Sequence, residues 1–385
     1  MTRFRSFWQA GFEAACHVNR AGTRLDLIAA TQHDREADAD YARLAQLGLR
    51  TVRDAFRWPL VDRGGALDFA SARPALDAAR RHGVQVVWTL CHYGWPDDLN
   101  VHHARFVERF ARYAAAAARL VRAHTDEAPW YVPVNEISFL AWAAGEVGYM
   151  HPFGHERGAE VKRQLVRAAI AAMEEIRSVD PTARFLHVDP LMWCVPPRGR
   201  PDLAGAARAR CEAQFEAWDL LLGRREPELG GRAELVDAIG VNYYHSNQRE
   251  YPDERIPWEQ QPRDERWRPL ADLLETVHRR YDRPLVLAET SHFGEGRAAW
   301  LDEIAHEVRT ALARGLPLEG VCLFPVLDRP DWDDPHHWHH SGLWDLLPDE
   351  TGHLRRVLCR EYADALERAR RQVPGALEGA EMLAG

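Results

Sequence analysis

Residues 70–92, ASARPALDAARRHGVQVVWTLCH, hold the fold in miniature. Residues 70–81 are an amphipathic, Ala- and Arg-rich segment that stops at Gly83, a residue suited to the left-handed turn that closes a helix. Residues 85–92 are a short apolar run rich in β-branched side chains, the signature of a buried strand. This alternation recurs about eight times along the chain. Strands are expected at residues 7–15, 51–58, 85–92, 130–136, 184–189, 236–244, 285–290 and 320–327. Helices are expected at 37–47, ending at Gly48, and at 70–81, 103–124, 160–179, 206–222, 270–281, 298–313 and 353–371.

Strands separated by helices at this spacing imply a parallel sheet with right-handed crossovers. Eight such units favour a closed barrel over an open doubly wound sheet, and no G-x-G-x-x-G follows the first strand. The expected fold is therefore α/β: a single-domain (β/α)8 TIM barrel over residues 1–373, followed by a tail at 374–385. Residues 196–201 and 252–268 read as long loops over the barrel mouth, and no linker divides the chain.

At 385 residues the chain is long for one domain but within the range of α/β barrels. A net charge of −9 offers no attraction for nucleic acid or an anionic membrane. Six scattered cysteines without a C-x-x-C pair suit a reducing cytoplasm. The first residues lack a continuous apolar stretch, so no signal peptide is expected. No apolar run reaches the length of a membrane span.

Catalytic groups of such barrels project from the C-terminal ends of the strands. Two carboxylates interrupt apolar runs there: Glu136 in WYVPVNEISF (130–139) and Glu289 in PLVLAETSHFG (284–294). A carboxylate at the end of a buried strand is costly to desolvate unless a partner or a reaction requires it. Each alone is compatible with a structural ion pair to an arginine. Together, on the fourth and seventh strands, they have the composition that glycoside hydrolysis needs, one acid/base and one nucleophile.

Motifs across most of the barrel resemble clan A glycoside hydrolases, and most closely family 1, the β-glucosidase family. VPVNEISF is similar to its Asn-Glu-Pro acid/base motif, with Ile137 in the Pro place. VLAETSHFG is similar to its Thr-Glu-Asn-Gly nucleophile motif, with Ala288 and Thr290 at the flanks. TLCHYGWPDDL resembles its His-Trp-Asp-Leu-Pro segment, VRDAFRW its second strand, IGVNYYHSN its sixth, and FPVLDRPDWDD with HSGLWD its eighth and beyond.

The resemblance implies a retaining β-glycosidase without a metal or other cofactor, acting on a β-glycoside or oligosaccharide. Glu136 would be the acid/base and Glu289 the nucleophile. Arg53 would sit beside Glu289 and keep it ionised, Tyr244 would position its attacking oxygen, and Asn135 would bond the sugar 2-hydroxyl. His17, His92, Tyr93, Asn242, Phe324, Asp331 and Trp332 would bind substrate. A transglycosidase would use the same residues, and a non-catalytic carbohydrate-binding barrel is the alternative from another class.

The departures fall on the sugar-recognition shell. Asp331 stands where a Glu is usual, His17 where a Gln is usual, and Phe324 and Tyr93 replace two Trp. The Ser-Lys-Tyr pattern that resemblance would associate with phosphorylated sugars is absent from HSGLWD. The run containing His336, His337, His339 and His340 reads as loop rather than as a metal site, because adjacent histidines do not easily converge on one ion.

Overall fold

A computed structural model describes residues 3–373. The tail expected at 374–385 lies outside the described residues. Eight parallel strands close into a barrel: β1 Trp8–Gly11, β2 Thr51–Ala55, β3 Gln85–Cys91, β4 Trp130–Val134, β5 Arg184–Pro190, β6 Ala238–Asn242, β7 Leu285–Thr290 and β8 Leu318–Leu323. Closure is made by β1, which pairs with β2 (Gly11 opposite Arg53) and with β8 (Trp8 opposite Val321). The expected (β/α)8 barrel is the observed one.

Alternation along each strand sorts side chains between two cores. Val87, Val132, Leu186, Val188, Ala238, Val286 and Ala288 form one small cluster with Phe4 and Trp130. These residues come from consecutive strands β3 to β7, as the packed interior of a barrel requires. Their neighbours Val86, Trp88, Tyr131, Phe185, Ile239, Leu285 and Leu287 join the much larger layer between sheet and helices. A Cβ added to Gly240 of β6 would come within 2.7 Å of Val188, so the interior accepts only a glycine there.

The helices that cover the sheet begin with His33–Gln46 and Arg73–His82. Gly48 (φ +71°) and Gly83 (φ +63°) follow them in the left-handed conformation, as their positions predict. Further helices are Ala104–Arg122, Gly158–Val179, Leu270–Tyr281 and Gly296–Ala313. Among the described residues no helix is long and apolar enough to cross a membrane.

Two expected helices are corrected. The segment expected over 206–222 is broken into Ala204–Ala213 and Glu216–Leu221. Of the segment expected over 353–371, only Arg360–Gln372 is helical, and Leu354–Leu358 is instead a strand paired antiparallel with Trp344–Pro348. That hairpin is anchored by Arg356, whose guanidinium makes two 2.9 Å hydrogen bonds to Asp40 of the first long helix, both side chains fully buried. His33 faces the same carboxylate at 2.9 Å. The mouth loops are not all irregular either: Trp193–Val195, Gln248–Glu250 and Glu254–Arg255 form a small three-stranded sheet there.

Truncating Leu186 to Ala removes packed volume that the barrel interior cannot recover, so denaturant unfolding should register a loss of about 2–5 kcal/mol. A loss well below about 1 kcal/mol would place Leu186 outside the packed interior.

Candidate active site

The C-terminal ends of β2, β3, β4, β6 and β7 converge on one buried polar cluster. At its centre is Arg53 of β2, whose side chain lies fully inside the barrel. Its Nη1 donates to Glu289 Oε1 at 2.8 Å and to the Ala288 carbonyl at 2.9 Å, while Nη2 donates to Asn135 Oδ1 at 2.9 Å. The Ala288 carbonyl is free to accept because β7 slips there: Leu287 pairs with Val241 and Glu289 with Asn242, so Ala288 is the extra residue of a β-bulge. The bulge bends β7 just before Glu289. Tyr244, beyond β6, donates from its hydroxyl to Glu289 Oε2 at 2.8 Å. Both oxygens of Glu289 are thereby fixed.

Glu136 is set differently. Its backbone is left-handed (φ +47°), which turns the chain sharply between β4 and the short helix Ile137–Ala141. Asn242 donates to Glu136 Oε1 at 2.8 Å, and the Tyr93 hydroxyl bonds Oε2. Among the described residues no cation pairs with it. Burial, with the Glu289 charge adding to it, pushes the Glu136 carboxyl up to about 8 against the opposing effect of Tyr93 and Asn242. Asp189 at the end of β5 adds to the same shift and is itself raised to about 7 by burial, although Ser138 donates to it through backbone and hydroxyl.

The phenols of Tyr93 and Tyr244 are held well above their ordinary value of 10, chiefly by burial and then by neighbouring carboxylates. Both therefore serve as donors. Asn135 Nδ2 donates to the Tyr93 hydroxyl at 3.0 Å and lies 3.4 Å from His92 Nε2. Burial, then Arg53, lowers His92 well below the usual histidine range, so its ring is neutral. Phe324 stacks on His92 with centroids 5.9 Å apart and lies beneath the Arg53 guanidinium.

His17 and Trp332 meet edge to face at 4.9 Å, and each also lies against Tyr93. Neither ring nitrogen of His17 has a hydrogen-bond partner. Three residues expected to bind substrate have other partners, Asn242 being one through its bond to Glu136. The Tyr93 hydroxyl bonds Glu136. Asp331 is engaged by its own loop: Oδ1 accepts from Asp333 and Asp334 N–H groups, and Oδ2 faces His339 Nε2 at 3.0 Å.

The structure adds a third carboxylate, Glu13, just beyond β1. It lies 3.4 Å from His92 Nε2 and 3.6 Å from Arg329 Nε. Its place in GFEAA, a charge interrupting an apolar strand end, is the same signal that marks Glu136 and Glu289. Arg329 gives no comparable signal, lying in a polar loop.

Solved structures share this architecture. The β-glucosidase from Thermotoga maritima in complex with glucoimidazole superposes with a TM-score of 0.79 at 15% identity, over 96% of this chain and 99% of that one. The family 1 β-glucosidase from Thermotoga maritima gives 0.76 at 15% identity, over 95% and 98%. The complex of that organism's β-glucosidase with noeuromycin gives 0.75 at 15% identity, again over 95% and 98%. The chain therefore has the barrel fold of the family 1 β-glucosidases. No protein-family model matches the sequence. No curated protein matches it either.

The Glu136 environment has a measurable signature in stability. A carboxyl that titrates at about 8 when folded, against its ordinary 4.5, binds its proton more tightly in the folded state. Folding stability from this group then falls as pH rises from about 4.5 to about 8. Glu136→Gln does not titrate, so its melting temperature should climb relative to the parent across that window and level off above it. A difference that stays constant over those pH values would mean that Glu136 is an ordinary carboxylate.

Proposed function

We propose that this protein is a retaining β-glycosidase, with Glu289 as nucleophile and Glu136 as acid/base. One observation carries the reading: two buried carboxyls at the ends of β4 and β7 have opposite environments. Glu289 is matched with a guanidinium and a phenol, whereas Glu136 has no cation and holds its proton up to about pH 8. Two carboxyls placed in such different environments suit an acid and a nucleophile.

In the first step a Glu289 oxygen attacks the anomeric carbon and forms a carbon–oxygen bond as the glycosidic bond breaks. The departing oxygen takes the proton of Glu136. Arg53 and Tyr244 hold the attacking carboxylate in place, and Asn135, fixed by Arg53, presents its amide to the sugar 2-hydroxyl. In the second step water gives a proton to Glu136 and its oxygen to the anomeric carbon, the ester bond breaks, and Glu289 is restored.

His92, His17, Phe324 and Trp332 form the wall on which the sugar rests, with Trp332 supplying an apolar face. Asn242 and Tyr93 touch the sugar less than they hold Glu136. The substrate is a β-linked glycoside, and the six unpaired cysteines, four of them buried, fit an enzyme working in a reducing compartment such as the cytoplasm.

The test is covalent trapping with 2-deoxy-2-fluoro-β-glycosides of gluco, galacto and manno configuration bearing a good leaving group, read by mass spectrometry. The label is expected on the peptide containing Glu289, and a label elsewhere rejects the assignment. Glu136→Ala should lower kcat by about 10²–10⁴ on substrates whose leaving group needs a proton. In the parent enzyme, kcat/KM should fall as pH passes about 8, where Glu136 loses its proton. A profile still rising through pH 9 would exclude Glu136 as the acid.

A further inference from the structure

The two-step reaction gives no task to Glu13, a buried carboxylate beside His92. Glu13 is 7% exposed, between Glu136 at 8% and Glu289 at 4%, and it lies against His92 of the same cluster. The Ala15 N–H holds its Oε1 at 3.0 Å, and His92 Nε2 lies 3.4 Å from that oxygen. Its Oε2 lies 3.6 Å from Arg329 Nε, close enough to balance charge but too far for a hydrogen bond. Arg329 spends one N–H on the Pro330 carbonyl, and its guanidinium sits over the Trp332 ring at 5.5 Å. Glu13 and Arg329 therefore form an ion pair with a gap, bordered by the residues against which the sugar is expected to lie. Asp331, the carboxylate expected to grip the outer hydroxyls, is taken up by its own loop.

We infer that Glu13 and Arg329 together hold a vicinal pair of sugar hydroxyls, remote from the anomeric carbon, in the role that the sequence assigned to Asp331. This rests on the glycosidase reading above. A hydroxyl both donates and accepts, so adjacent hydroxyls match an acceptor set beside a donor. Glu13 accepts from one hydroxyl, with the neutral His92 ring against the same oxygen, and Arg329 donates to the next. Bonds to charged partners are the stronger kind, and leaving a buried charge without its partner is costly. A sugar carrying a further glycosyl or phosphoryl group on the hydroxyl that faces Glu13 would lack the donor that Glu13 needs. The pair thus selects a sugar on which that hydroxyl is free.

The experiment pairs enzyme variants with substrates that lack single hydroxyls. kcat/KM is measured for 4-nitrophenyl β-glycosides of the configuration that traps best, and for their 3-, 4- and 6-deoxy forms. The enzymes are the parent, Glu13→Ala, Glu13→Gln and Arg329→Met. Glu13→Ala should lose about 10- to 100-fold on the full substrate but lose almost nothing further on one deoxy form. Arg329→Met should show the same pattern on the form lacking the neighbouring hydroxyl, and Glu13→Gln should recover part of the loss. Equal losses on every deoxy form, from Glu13→Ala or from the milder Glu13→Gln, would overturn the inference, because Glu13 would then act only through the packing of His92 or Arg329. If the parent neither turns over these glycosides nor is labelled by their fluoro analogues, the glycosidase reading itself fails first.

Discussion

A guanidinium at the centre of a barrel cannot be hydrated, so the strands around it must supply the acceptors. Arg53 finds them on two strands far from its own: Asn135 just beyond β4, and both Ala288 and Glu289 of β7. Removing one member of a buried pair typically costs about 3–5 kcal/mol, since the charge left behind has no partner. The cluster is therefore held as a unit. The bulge in β7 belongs to the same arrangement, because it frees the Ala288 carbonyl and turns Glu289 toward the guanidinium.

The difference between the two glutamates follows from where that single cation is spent. Arg53 neutralises Glu289, and among the described residues no arginine or lysine pairs with Glu136. Glu136 is left with neutral donors, Asn242 and the Tyr93 hydroxyl, whose bonds to the charged form are too weak to offset burial. The left-handed backbone at Glu136 is strained, and strain of this kind persists where the surroundings impose it. Here the Glu136 N–H bonds the Val188 carbonyl of β5, and the preceding Asn135 N–H bonds Cys91 of β3. The turn that exposes the acid is thus clamped from both neighbouring strands.

Most of the barrel was legible because the period of each segment is strong: apolar runs of five to seven residues, then amphipathic helices closed at Gly48 and Gly83. The two carboxylates were legible for the same reason, as charges in otherwise apolar strand ends. Glu13 carries the same mark but lies two residues beyond a strand of only four residues, Trp8–Gly11, whose end is weakly defined by sequence. The hairpin Trp344–Leu358 was misread because LRRVL (354–358) is compatible with a helix until its antiparallel partner is known. The position of Asp331 was hidden for a related reason. Its carboxylate is claimed by backbone N–H groups two and three residues on, a local competition that residue identity does not settle.

The closure of the barrel has a consequence for how the chain reaches this state. β1 needs β8 on one side, some three hundred residues later in the sequence, and the first long helix needs Arg356 to answer Asp40. During synthesis the amino-terminal strands emerge with one edge of β1 unpaired and with Asp40 paired to Arg43 and His33 but not yet to Arg356. An unpaired strand edge is an invitation to association with other chains. The nascent protein thus stays an open, curling sheet until Leu318–Leu323 of β8 has been made and can pair with β1 to close the ring. Its vulnerable interval is set by the time taken to translate the chain, a quantity external to the fold itself.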